Sequence, residues 1–289
     1  MSIIQKLSAA GAITPLKWVP DNLVYEVQTG SVSYGASSGD SDTDIVGIAM
    51  NPKSDFFPNQ AGHIYGFGDA YIPFTTWQHH HVQHDGDEYD LTVYGIAKWF
   101  TLLAENNPNM IDILFSPLHC VRVNSLIAQH IRRSRALFLH KGSKHKFIGY
   151  AYAQLKKIEK KEKEGKRAAI IEKYGYDVKY AMHLVRLALQ CEQILSEGDL
   201  DLMRNADLLK AIRSGEWTED QVKKFFSDKE KHLEELYEKS ELPHGPQIDK
   251  IKALLIECLE MHYGSLSADL VVAGRAEAKL EEIKRIIEQ

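Results

Sequence analysis

The chain has 289 residues, 44% of them hydrophobic and 26% charged, the make-up of a globular protein long enough to bury a core without disulfide or metal staples. With 35 Lys and Arg against 40 Asp and Glu the net charge is −5, which excludes a surface that is a polycation throughout but leaves room for a local basic cleft. Three widely spaced cysteines, Cys120, Cys191 and Cys258, exclude a disulfide framework or a zinc ribbon and fit a reducing compartment.

Met1 to Leu16 lacks a basic start followed by a long apolar stretch, and no run approaches ~18 apolar residues. Neither an export signal nor a membrane span is expected, and the cytoplasm is the default location. Seven of the nine prolines lie between Pro15 and Pro117, so the first part of the chain is punctuated by turns. Strand-like runs follow at Leu23–Val27, Asp44–Ala49 and Asp90–Tyr94, with a loop rich in glycine and serine between the first two. A helical pattern at Ile96–Leu103 closes at Asn106-Asn107-Pro108, and an apolar helix at Met110–Phe115 ends at Ser116-Pro117. From about residue 124 the pattern is helical: Ser143–Glu164 with a charged end, Asp177–Glu197 stopping at Gly198, Trp217–Glu238 and Gln247–Tyr263. The tail Ala276–Gln289 reads as an amphipathic helix that docks on the bundle or on a second copy as a homodimer contact. Two domains are expected, residues 1–140 with the strands and residues 141–289 all helical.

The segment that carries chemistry is Gly30-Ser31-Val32-Ser33-Tyr34-Gly35, followed by Asp40-Ser41-Asp42-Thr43-Asp44. A glycine and a serine after a strand let the backbone turn tightly and offer N–H groups and a hydroxyl to phosphate oxygens. Asp42 and Asp44, at i and i+2 of a strand, point to one face. Carboxylates so close repel unless a divalent cation lies between them, and hard oxygen ligands suit Mg²⁺ or Mn²⁺. A two-metal site needs a third acid, and Asp90, opening the later strand with Thr92 and Tyr94 on its face, is the choice over Asp87 and Glu88.

Gly-Ser, a short turn, then Ser41-Asp42-x-Asp44-Ile45-x-Gly47 resembles the signature of the DNA polymerase β-like nucleotidyltransferase superfamily. The fuller pattern is similar to the branch found in bacteria and their phages. Asn107-Pro108-Asn109 with Asp112, Phe147-x-Gly149-Tyr150-Ala151, and Lys179-Tyr180-Ala181-x-His183-Leu184-x-Arg186 extend it, so the resemblance runs from about residue 22 to 198. The family often has Glu where Asp112 stands. The resemblance implies an α+β fold, a small mixed β-sheet nucleotidyltransferase core with flanking helices followed by an all-α C-terminal domain. It also implies two divalent metals and transfer of a nucleoside monophosphate from an NTP with release of pyrophosphate. Carried over, Gly30, Ser31 and Ser41 meet the triphosphate, Asp42 and Asp44 hold both metals, and Asp90 holds the catalytic metal and activates the acceptor.

Lys179, His183 and Arg186 share one helix face, which is expected to turn toward the cleft and bind the triphosphate or a nucleic-acid backbone, the alternative being a solvated edge with His183 bonded to a neighbour. His79-His80-His81 with His84 reads as a flexible loop over the site, because neighbouring residues of a strand cannot all reach one zinc ion. Tyr34 either stacks on a base or packs inside. RNA ends, including tRNA, are the first acceptor, although the net charge argues against a broad RNA footprint. Protein side chains (AMPylation-type transfer) are the second and a small molecule such as an aminoglycoside the third. A non-catalytic nucleotide-binding or interaction protein is the alternative from another class.

Overall fold

The computed structural model describes residues 2–37, 43–63, 68, 71–160 and 165–266. Ser41 and Asp42, the end of the charged run at 161–164 and the tail helix expected at 276–289 lie outside the described residues.

Five strands, β1 (Leu23–Gln28), β2 (Thr43–Ala49), β3 (Thr76–His84), β4 (Asp87–Gly95) and β5 (Val121–Asn124), form one sheet in the order β3-β4-β2-β1-β5. β2 and β4 run parallel and every other pair is antiparallel, so the fold is α+β with a mixed sheet. Alternation sorts the sheet into two faces. Ile45, Leu91 and Val93 pack on one side with Ile4 and Leu7 of the first helix, α1 (Ile3–Ala9). Tyr25, Val27 and Ile48 face the other side and join the main core. Helix α1 is tied down by the buried carboxylate of Glu26, which accepts from the Ser2 hydroxyl, from Ile3 N at 2.7 Å and from Ile4 N at 3.2 Å.

β3 and β4 form a hairpin whose two-residue turn, Asp85-Gly86, has φ of 53° and 88°. Two consecutive residues in the left-handed region make the turn that matches strand twist, and Asp-Gly is a preferred pair for it. The histidine segment is therefore not the loop expected from the sequence: His79, His80 and His81 lie in β3, at the sheet edge. The register shifts between His79 and Val82, where His81 takes φ 56°. That bulge broke the alternation that would have marked a strand.

After a short α2 (Lys53–Phe56), the helices α3 (Ile96–Ala104), α4 (Pro108–Phe115) and α5 (Leu126–Arg133) surround the sheet. Asn107 caps α4, its side chain accepting from Asn109 N at 3.1 Å, with Pro108 at the first helical position. There follow α6 (Ser143–Lys160), α7 (Gly165–Tyr174), α8 (Val178–Glu197), α9 (Ala206–Arg213), α10 (Glu219–Lys239) and α11 (Ile248–Tyr263). The central helix is α8, most of it buried. Asp177 starts it by accepting from Lys179 N at 2.9 Å and Tyr180 N at 3.1 Å. Gly198 ends it in the left-handed region at φ 65°. One apolar cluster runs from β1 through α3, α4 and α8 to α11, so the sheet face that bears Asp44 lies against helices. Among the described residues no helix is long and apolar enough to cross a membrane.

Candidate active site

The turn after β1 is built around one carboxylate. Thr29 N donates to the carbonyl of Asp44 at 2.8 Å, which holds the start of the turn against β2. Gly30 has φ 81°, and a Cβ placed there would lie 2.7 Å from Asp44 Oδ2. The left-handed backbone favours glycine, and any side chain there would displace the Asp44 carboxylate. Gly30–Tyr34 then forms a 3₁₀ turn, with Ala36 N donating to Ser31 O at 2.9 Å.

Asp44 of β2 stands directly opposite Asp90 of β4 in the parallel register. Paired residues of neighbouring strands project to one face, so the two carboxylates are side by side with Val46, Thr92 and Tyr94 continuing the row. Asp90 Oδ1 accepts from the backbone N of His81 at 2.9 Å and lies 3.4 Å from His80 Nδ1. Of the competing acids, Asp87 accepts from the Tyr89 hydroxyl at 3.1 Å, and Glu88 is engaged by Gln83 at 2.7 Å and His81 Nδ1 at 2.6 Å. Among the described residues no three potential ligands cluster as a metal site, and Asp42 is not among those residues.

Two cavities flank Asp44 and Gly30. One, of about 270 Å³, is bounded by Val46, Thr92, Tyr94, Asn109 and Arg186. The other, of about 330 Å³, is bounded by Ser31, Ser37, Thr43, Lys179, His183 and Arg213. The structure thus brings Gly30, Ser31, Asp44, Lys179 and His183 to one cavity, and places Arg186 in the wall of the other.

Arg186 is only 6% exposed, and its guanidinium is held by Asp112 and by the Tyr34 hydroxyl, 4.2 Å above the Tyr34 ring. Tyr34 donates to Asp112 Oδ2 at 2.6 Å, and Gln190 Nε2 donates to Asp112 Oδ1 at 2.9 Å. This settles the two options for Tyr34: it packs inside. Burial pushes the Asp112 carboxyl up, and the Arg186 guanidinium pulls it back. The four residues form a bracket that fastens the turn after β1 to α4 and α8.

His183 is held well below the usual imidazole range by burial, then by the charges of Arg186, Lys179, Arg213 and Arg167. It is a neutral imidazole at neutral pH. Arg213, at the end of α9, was not legible as a site residue, because a lone arginine at a helix end carries no pattern. Its Nη1 is buried with no hydrogen-bond partner among the described residues, and burial, then Arg167, lowers its pKa. A cationic N–H of this kind, in the wall of the second cavity, is a donor that an anionic oxygen can satisfy.

A mixed sheet with a Gly-Ser turn packed against one strand acid, a second acid in register beside it, and a cation-lined cavity under the turn fit a polymerase β-like nucleotidyltransferase. The sequence model of the RlaP family, the RNA repair pathway DNA polymerase beta family, matches residues 4–265, and the chain belongs to that family. Among solved structures it is similar to a nucleotidyltransferase-like protein from Exiguobacterium sibiricum 255-15, with 10% identity over 89% of this chain and 79% of that one. The TM-score of 0.27 is too low to bear on fold or activity. No curated protein matches the chain.

Proposed function

We propose that the chain is a divalent-metal-dependent transferase that moves a nucleoside monophosphate from an NTP to a hydroxyl at an RNA end. The observation that carries this reading is the register of Asp44 with Asp90 on the face where Gly30 makes room for the Asp44 carboxylate. Paired carboxylates on adjacent strands are hard donors of the kind Mg²⁺ or Mn²⁺ takes, and Asp42, two residues before Asp44, is the expected third ligand. Bound there, the metal supplies neutralisation of the charge on triphosphate and acceptor oxygens.

The chain's own residues supply position. The Gly30-Ser31 turn offers N–H groups and a hydroxyl to the phosphates, while Lys179 and Arg213 draw the outer phosphates into the 330 Å³ cavity. Neutral His183 adds a hydrogen bond there without charge. Asp90 orients the acceptor hydroxyl. The acceptor oxygen bonds to the α-phosphorus as the α–β bridging bond breaks; pyrophosphate leaves with the electron pair and the hydroxyl proton passes to solvent. That the family is named for an RNA repair pathway supports RNA as the acceptor.

The test is incubation of the full chain with each α-labelled NTP, Mg²⁺ or Mn²⁺, and total RNA and protein. Label should enter RNA with pyrophosphate release, and Asp44→Asn should lower the rate by about a hundredfold or more. Label on protein would move the acceptor to a protein side chain. Tight nucleotide binding without any pyrophosphate release would leave a binding module and refute catalysis.

A further inference from the structure

We propose that an arginine groove behind the phosphate turn is the track for the backbone of a single-stranded RNA. This rests on the RNA-end reading above and adds a surface outside the catalytic cavities. The groove, of about 640 Å³, is lined by Leu118, Asn124, Gln129 and three arginines within four residues of sequence, Arg132, Arg133 and Arg135. Asp199 faces them and pairs with Arg135, Oδ1 to Nη2 at 3.1 Å.

The charge balance of the other two is different. Arg132 donates only to neutral oxygens: the Tyr25 hydroxyl, Leu114 O at 3.2 Å and Ser116 O at 2.8 Å. Its guanidinium is fixed in place and its charge uncompensated by any carboxylate among the described residues. Arg133 is exposed and has no ion pair among them. In a chain of net charge −5, the groove therefore concentrates positive charge where little anion opposes it. Leu118, 70% exposed, gives one wall an apolar surface for a base, and Asn124 and Gln129 contribute amides.

Two contacts tie the groove to the candidate site. Ser116, whose carbonyl Arg132 binds, lines the 270 Å³ cavity beside Asp44. Cys120, two residues beyond Leu118, lies near Ser33 in the turn after β1. Through Ser116 the groove adjoins the cavity beside Asp44, toward which a strand lying in it would lead. A single-stranded RNA suits this lining better than an acidic peptide, because an exposed apolar side chain and two amides stand with the cations, and a base can use the first two while phosphates use the third.

The experiment is fluorescence anisotropy of the full chain with a short labelled single-stranded RNA over a series of salt concentrations. Arg133 is exposed, so its replacement leaves the fold intact, which circular dichroism checks. Arg133→Glu should weaken binding by about tenfold, and Arg133→Ala should lower the slope of log affinity against log salt by about 0.7. Unchanged affinity and slope in Arg133→Glu would overturn the proposal, as would displacement of the RNA by polyglutamate at equal charge concentration. Label transfer is read in a separate reaction, so loss of the groove and loss of the transferase reading are distinguishable.

Discussion

Two sets of polar contacts flank the candidate site, and they differ in depth. The Tyr34–Asp112–Arg186–Gln190 bracket lies inside the protein, each member at most 6% exposed. The histidine edge of the β3–β4 hairpin faces solvent: His80 and His81 are well exposed where they meet Asp90 and Glu88. The same residue chemistry has different consequences. Buried, an ion pair is over-determined by packing and holds the phosphate turn in one geometry; an exposed polar contact is screened by water and can exchange partners.

The largest effect on the buried side is expected for Asp112→Asn. It leaves the Arg186 charge buried without its carboxylate and should cost about 3–5 kcal/mol in urea unfolding. A variant that kept its stability but lost nucleotide affinity would make Arg186 a phosphate ligand and erase the contrast. Next comes Arg213→Gln, which removes the cationic donor from the 330 Å³ cavity. Affinity for a non-hydrolysable NTP should fall about tenfold in isothermal titration, with Arg213→Lys retaining part of it.

A smaller effect is expected from pH. The His183 imidazole is held well below its ordinary value, so the folded chain stays unprotonated there while the unfolded chain takes up a proton at about 6.5. The unfolded state then binds more protons, and stability is lost as pH falls below about 6.5. Melting temperatures between about pH 5 and pH 7 should show this slope in the wild type and a flatter one in His183→Gln. Least of all is expected from His80→Ala on the exposed side. Stability should change by no more than about 0.5 kcal/mol in the same unfolding measurement. A larger loss would mean that the histidine edge is as structural as the bracket.

The sequence was legible where pattern and punctuation agree. β1, β2, β4, α3 and α8 follow from apolar periodicity, and the ends of α8 from Asp177 and Gly198. α1 and α9 passed unread, since each is too short for its periodicity to stand out, and so did the four-residue β5. β3 was misread as a loop because a bulge at His81 interrupts its alternation, although the Asp85-Gly86 pair signalled the hairpin. At the candidate site, the spacing of Gly30, Ser31 and Asp44 was enough to group them. Arg213 was not, because its relation to Lys179 depends on how α9 packs on α8.

The local amino-acid order was sufficient for the glycine turn, the acidic strand ends and the capped central helix, since steric limits and hydrogen-bond geometry act over a few residues. The depth at which Arg186 sits, the partner that Asp112 takes 74 residues away, and the alignment of Asp44 with Asp90 came only with packing. Charges and hydrogen bonds between distant segments are decided by which surfaces exclude water together, and no short stretch of chain contains that information.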